Sequence, residues 1–181
     1  MKYIIASDIH GSAKYCQLLL QKFNEEKADK ILLLGDILYH GPRNDLPEDY
    51  NPKKVIDLLN PLKDKILCVR GNCDAEVDQM VLNFPIMADY MILEMGKYTI
   101  YATHGHHINP NNPYPGAKNY ILLNGHTHVP VNKKYDDFTY MNPGSTSIPK
   151  ENSPHSYMIF ENDSFKWKNL ETGDEYQPKQ D

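Results

Sequence analysis

Five short apolar runs punctuate the chain, at residues 3–6, 31–34, 66–69, 99–103 and 120–123, and each closes on a turn or a polar cluster. Runs of this length without apolar/polar alternation read as strands covered on both faces. Between the first two, Tyr15, Leu19, Leu20 and Phe23 recur at helical spacing, and Ser12 stands where an N-cap belongs. That predicts a βαβ unit. Asn51-Pro52 ahead of Val55, Ile56, Leu58 and Leu59 predicts a second helix, with Asn51 capping and Pro52 at the first helical position. A third, short helix is expected over residues 77–81 with Asp74 as its cap.

The second half has a different rhythm. Residues 90–94 and 98–103 flank Met95-Gly96-Lys97 and predict a hairpin instead of another helix-linked crossover. Residues 138–141, 156–160 and 164–170 are short and β-prone, with Asn162-Asp163 as the turn between the last two. Together these predict an α/β domain spanning residues 1–181, with two sheets face to face and helices at their flanks. Residues 40–50, with a Gly, two Pro, an Asn and Asp residues, are expected to be irregular, and 173–181 to fray.

Composition narrows the class. Hydrophobic content of 40% and charged content of 24% are those of a globular protein. No apolar run approaches the roughly 20 residues of a membrane helix. Asp8 follows the start too closely for the apolar core of a signal peptide, so a cytoplasmic location is expected. Cys16, Cys68 and Cys73 form no C-x-x-C pair, which argues against a disulfide framework and a structural zinc site. A formal net charge of -5 gives no footprint for duplex nucleic acid or an anionic membrane, while a nucleotide or a short oligonucleotide stays compatible.

Each strand run leads into residues that bind metals. Asp8-Ile9-His10 follows the first, Gly35-Asp36 the second, Gly71-Asn72-Cys73-Asp74 the third, His104-Gly105 the fourth and Gly125-His126-Thr127-His128 the fifth. Ligand crevices in α/β sheets form at such strand ends. Taken singly, each has an ordinary reading: Asp8 as a helix cap, His10 as a loop residue, Gly71-Asn72 as a turn. Asp36 is more telling, because a carboxylate at the end of a buried strand is costly unless paired or metal-bound. The convergence of carboxylates, an amide and imidazoles on one rim points to a two-metal site.

The order D-x-H, G-D, G-N-x-D, H-G, G-H-T-H closely resembles the calcineurin-like metallophosphoesterase superfamily. His40-Gly41-Pro42-Arg43-Asn44, Val69-Arg70-Gly71-Asn72-Cys73-Asp74, Glu76-Val77-Asp78-Gln79-Met80 and Asn142-Pro143-Gly144-Ser145 are similar to its bacterial YfcE-type branch of phosphodiesterases. The resemblance implies a four-layer α/β/β/α sandwich of two mixed sheets with a dinuclear centre. By motif position it implies Asp8, His10 and His128 around one ion, Asn72, His104 and His126 around the other, and Asp36 bridging. It favours Mn²⁺, while Zn²⁺, Fe²⁺ and Co²⁺ also suit oxygen and imidazole donors. Two such ions about 3.5–4 Å apart generate a hydroxide that attacks phosphorus.

Most of the superfamily carries G-N-H where this chain has Asn72-Cys73. A thiol donates hydrogen bonds more weakly than imidazolium, so Cys73 reads either as a small packing residue or as the leaving-group acid beside Asp36 and Asn72. Aryl diesters are therefore expected to be cleaved well and ordinary monoesters poorly. His40, Arg43 and His106 are candidates for phosphate contact or proton supply; alternatively Arg43 pairs with Asp45 or Glu48, and His106 is a solvated loop residue. Asn142-Pro143-Gly144-Ser145 reads as a turn bracing the loop of His126 and His128. The expected partner is a small phosphodiester, with self-association into a homo-oligomer open. The competing readings are a non-catalytic metal-binding interaction module on the same fold, and a nuclease or phosphomonoesterase.

Overall fold

The computed structural model describes residues 1–180. Its first half runs β1 (Tyr3–Ala6), α1 (Ala13–Glu25), β2 (Lys30–Leu33), α2 (Pro52–Leu59), a 3-10 segment (Asn60–Lys65), β3 (Ile66–Cys68) and α3 (Glu76–Gln79). The second half is all strand: β4 (Met91–Met95), β5 (Tyr98–Ala102), β6 (Tyr120–Leu123), β7 (Pro130–Lys134), β8 (Phe138–Pro143), β9 (Ser156–Glu161), β10 (Ser164–Asn169) and β11 (Glu175–Tyr176). A six-stranded sheet has the order β11-β10-β9-β1-β2-β3, and a five-stranded sheet the order β4-β5-β6-β8-β7. Both are mixed: β1, β2 and β3 run parallel, as do β5, β6 and β8, with antiparallel neighbours outside them. This is the α/β sandwich expected from the sequence.

The alternation of side chains along β1 and β2 divides the core into layers. Ile4, Ala6, Ile31 and Leu33 face α1 and α2, where Leu19, Phe23, Val55 and Leu59 meet them. Ile5, Leu32 and Leu34 face the other way, onto Ile100, Ile121 and Leu123 of the second sheet. Complete burial of such aliphatic side chains contributes roughly 1.5–3 kcal/mol each. That two-sided burial explains why these strands show no polar alternation. On the far face of the second sheet, Tyr120, Leu122, Phe138 and Tyr140 are covered by Ile108, Tyr114 and Ala117. Among the described residues the cover there comes from the loop 104–119. No helix among the described residues is long and apolar enough to cross a membrane.

The predicted caps of the first two helices form. Ser12 accepts from Tyr15 N, and Asn51 Oδ1 accepts from Lys54 N at 3.1 Å with Pro52 opening α2. The third does not form as expected. Ala75 is the N-cap of α3, a single turn in which Asp78 Oδ2 accepts from Ala75 N at 2.9 Å, and Asp74 is turned into the protein. The C-terminal segment also differs from the expected frayed tail. Glu175–Tyr176 pairs with β10 as β11, and Lys179 exchanges backbone hydrogen bonds with Asn132 and Pro130. The Asn162-Asp163 turn holds both residues at positive φ, 49° and 57°, as a tight hairpin between twisted strands requires.

Candidate metal centre

The ends of β1, β2 and β3 continue toward one another past the regular sheet. Asp8 N donates to Gly35 O at 3.1 Å, His10 N to Asp36 O at 2.9 Å and Gly11 N to Ile37 O at 2.8 Å. Two glycines permit the approach: a Cβ on Gly35 would overlap Gly71 N, and a Cβ on Gly71 would overlap Asp36. Here the backbone turns sharply. Asp8, His10, Asp36, His126 and His128 all have left-handed φ, between 48° and 66°. L residues seldom adopt that conformation, Asn, Asp and His less rarely than the rest, and its concentration at one rim is characteristic of functional sites.

These turns bring the predicted side chains together. His10, His104 and His128 each direct Nδ1 at a backbone carbonyl, of Tyr39 (2.7 Å), Leu34 (2.6 Å) and Ile148 (2.7 Å) respectively. A carbonyl only accepts, so Nδ1 carries a proton and Nε2 is the nitrogen that faces inward. His10 Nε2 and His128 Nε2 then lie 3.3 Å apart. Two ring nitrogens so close need a proton or a metal ion between them. Asp8 Oδ1, fully buried and without a hydrogen-bond donor, lies 3.3 Å from His128 Nε2 and 3.6 Å from His10 Nε2. Asp36 Oδ2 sits 3.6 Å from His10 Nε2 and 3.4 Å from His104 Nε2, between the two groups. Asn72 Oδ1 is 3.0 Å from His104 Nε2, and the half-buried His126 ring is centred 5.1 Å from that of His104. The buried carboxylate oxygens and the inward-facing imidazole nitrogens suit divalent ions, which displace protons from such donors on binding.

The electrostatics agree. Burial works against charge on Asp8, but the neighbouring His10 and His128 imidazoles overcome it and hold the carboxyl well below the usual range. Burial likewise opposes a charge on His104, and the hydrogen bond to Asp36 prevails, lifting it to about 9. The pocket thus favours positive charge at its centre. Burial pushes the half-exposed Cys73 thiol up to about 12, reinforced by the Asp36 carboxylate, so it stays protonated. Burial and the charge on His104 bring His106 down to about 4.

Two braces hold the rim. Asn142 Nδ2 donates to Gly125 O at 2.7 Å and Thr127 Oγ1 at 3.1 Å, which fixes the loop of His126 and His128. Ser145 Oγ and Ser147 Oγ donate to Asp8 O at 2.9 and 3.0 Å. The turn read from sequence as a brace therefore clamps two strand ends. The second brace is Asp74, whose carboxylate accepts from Gly71 N (2.7 Å), Asp36 N (2.8 Å) and Ile37 N (2.9 Å). Its G-N-x-D position was the available signal, and reading it as a cap missed this role.

Over the centre opens a cavity of about 320 Å³ whose lining includes Asp36, Arg43, Asn44, Cys73, His128 and Lys150. Arg43 is exposed there and makes no ion pair among the described residues; Glu48 pairs with Lys14 instead. Lys150, a second cation at this mouth, carries no sequence signal. His40 is absent from that lining and packs edge-on against Tyr39 and Tyr50. His106 lies to the other side, its ring centred 5.4 Å from that of His104.

The model of the calcineurin-like phosphoesterase superfamily domain matches residues 1–164. The chain belongs to this superfamily. Among its relatives, phosphodiesterase YfcE of Escherichia coli K12 is 46% identical over 163 residues, 90% of this chain and 89% of its own. The solved structure of YfcE, a phosphoesterase from E. coli, aligns with a TM-score of 0.94 at 43% identity, covering 98% of this chain and 97% of that one. Phosphodiesterase MJ0936 of Methanocaldococcus jannaschii is 26% identical over 161 residues, 82% of this chain and 89% of its own. As a calcineurin-like phosphoesterase the chain is an enzyme of phosphoric ester hydrolysis, and the family implies divalent metal ions, for which the Asp and His clusters offer ligands.

Proposed function

We propose that the chain hydrolyses phosphodiesters with two divalent ions, Mn²⁺ foremost. Asp8, His10 and His128 would hold one, Asn72, His104 and His126 would hold the other, and Asp36 would serve both. The observation that carries this reading is the place of Asp36 Oδ2, within 3.6 Å of His10 Nε2 and 3.4 Å of His104 Nε2. Bound there, such ions acidify water and neutralise charge developing on the phosphoryl oxygens. The protein's own groups do the rest. Arg43 and Lys150, at the mouth of the cavity, draw the phosphate anion in. Asn142, Ser145, Ser147 and Asp74 keep the ligand-bearing turns in place, so that the donors are aimed before substrate arrives.

The leaving group needs a proton, and here the chain is weakly equipped. Its donor next to Asn72 is the Cys73 thiol, pushed up to about 12. Such a group protonates an alkoxide poorly. Diesters with aryl or other acidic leaving groups are therefore the favoured class, and alkyl monoesters are poor substrates. The likeness to YfcE, a named phosphodiesterase, supports the same choice.

The test is hydrolysis of an aryl phosphodiester by chelator-stripped protein, with and without Mn²⁺, beside Asp36→Asn. Metal-restored activity that the variant lacks by about 100-fold or more supports the reading, because changes merely behind a ligand already cost 10–100-fold. Equal rates on alkyl monoesters and aryl diesters overturn the preference. Metal bound stoichiometrically with no hydrolysis points instead to an interaction module.

A further inference from the structure

His128 stands at a left-handed turn, φ 63°, and carries one donor of the centre. Such a conformation persists where the surroundings over-determine it. Before the residue, Asn142 does this through Gly125 and Thr127. After it, two arms of chain meet the turn. One is β7, an edge strand that starts at Pro130 and is half-exposed from Val131 to Lys133. The other is the loop 148–153: His128 Nδ1 donates to Ile148 O at 2.7 Å, and Lys150 N donates to His128 O at 3.2 Å. This loop presents Lys150 at the mouth of the cavity and is itself strained, with Glu151 and Asn152 at φ 56° and 57°.

Lys179 joins the two arms. Its backbone lies parallel to β7 at Val131, with Asn132 N donating to Lys179 O at 2.8 Å and Lys179 N to Pro130 O at 3.2 Å. Its ammonium pairs with Glu151. Within the loop, Ser153 N and Oγ both donate to Lys150 O, which makes 150–153 one compact turn. The contacts therefore close a circuit, from His128 to β7, to Lys179, to Glu151, to Lys150 and back to His128.

We propose that Lys179 is a positioning residue of the metal centre: by strapping β7 to the loop 148–153 it holds the His128 imidazole at the rim and Lys150 over the cavity. The proposal rests on the phosphodiesterase reading and adds to it a residue remote from the reacting atoms. Charge alone predicts something different. Lys179 and Glu151 line the larger cavity beside His126 and Thr127. Acting on an anionic substrate only through their fields, loss of the cation would weaken its binding and loss of the carboxylate would strengthen it. A strap makes both losses act in the same direction. Both side chains are half-exposed, and a pair of that kind is worth at most about a fivefold effect on an equilibrium.

The experiment uses the full chain with ¹⁵N-labelled histidine. After chelator treatment, NMR follows solvent exchange of the ring Nδ1–H of His128, with His10 and His104, which donate to Tyr39 O and Leu34 O, as internal references. Lys179→Ala and Glu151→Ala are each expected to speed exchange at His128 about threefold to fivefold and to leave His10 and His104 unchanged, and the charge swap Lys179→Glu with Glu151→Lys to restore the native rate. With Mn²⁺, KM for an aryl phosphodiester should rise about threefold in both single variants. No change at His128, a change shared by all three imidazoles, or KM values that move in opposite directions overturns the proposal. Faster exchange at His128 in a chain that hydrolyses no diester keeps the strap and removes the phosphodiesterase reading; hydrolysis with His128 exchange indifferent to both variants does the reverse.

Discussion

Asp74→Asn is the sharpest perturbation of the rim that leaves every proposed ligand in place. The carboxylate is 2% exposed and accepts three backbone N–H groups, two on Oδ2 from Asp36 and Gly71 and one on Oδ1 from Ile37. An amide has one accepting oxygen. With its NH₂ in the place of Oδ1 one N–H is orphaned against another donor, and with its NH₂ in the place of Oδ2 two are. A buried donor left without a partner costs roughly 1–3 kcal/mol. Part of that is returned, because burial and the neighbouring Asp36 charge raise the Asp74 carboxyl and removing its charge relieves them. The net loss is about 1–2 kcal/mol, and at 2–4 °C per kcal/mol for a chain of this size the Tm should fall by roughly 2–8 °C. Thermal unfolding in chelator keeps metal binding out of the comparison, with exposed Asp57→Asn as control. A Tm within error of that control would refute the reasoning. Metal titration provides a second readout, since a displaced Asp36 should weaken affinity by about 10–100-fold.

Arg43→Ala should raise KM for aryl diesters about tenfold while kcat changes little, since an exposed cation at the mouth contributes binding alone; steady-state kinetics with unchanged KM would remove it from the site. Gly125→Ala puts a Cβ onto Ser7 Oγ and 2.9 Å from Asp8 Oδ2, so it should lower stability by about 1–3 kcal/mol in denaturant melts and depress metal-dependent hydrolysis together. Glu26 tests the pH dependence. Burial opposes its charge, but Lys168 and Lys2 hold its carboxyl below the usual value. A depressed folded value means that this stabilisation is present at neutral pH and is lost as the pH falls through that value. Glu26→Gln should therefore lower Tm at pH 7 and lower it progressively less as the solution is made more acidic; a loss independent of pH would contradict the assignment.

The sequence was most legible where burial is two-sided. The runs starting at Tyr3, Ile66 and Tyr120 begin their strands to the residue, since a run of about four apolar residues closed by turn signals is too short for a buried helix and fits a covered strand. Pro130–Lys134 escaped notice because it is an edge strand whose side chains are mostly half-exposed, Val131-Asn132-Lys133 showing no apolar period. Glu175–Tyr176 is too short to carry a pattern at all. At the site, which side chains gather at the rim was readable and their backbone conformation was not: a mild preference of His for positive φ does not single out His10 or His128, and the surrounding hydrogen bonds impose it. Asp74 was misplaced for a related reason. An aspartate before a helix is ordinarily a cap, and only contact between the ends of β2 and β3 reveals three better donors.

The left-handed turns at Asp8, His10, Asp36, His126 and His128 also bear on how this chain evolves. At each, glycine relieves backbone strain of about 1–2 kcal/mol and deletes a donor atom. Variation screened for robustness alone would drift toward an inert, sturdier scaffold. The imidazoles and carboxylates at these turns persist only while hydrolysis is itself under selection, and a lineage released from that demand should lose them there first.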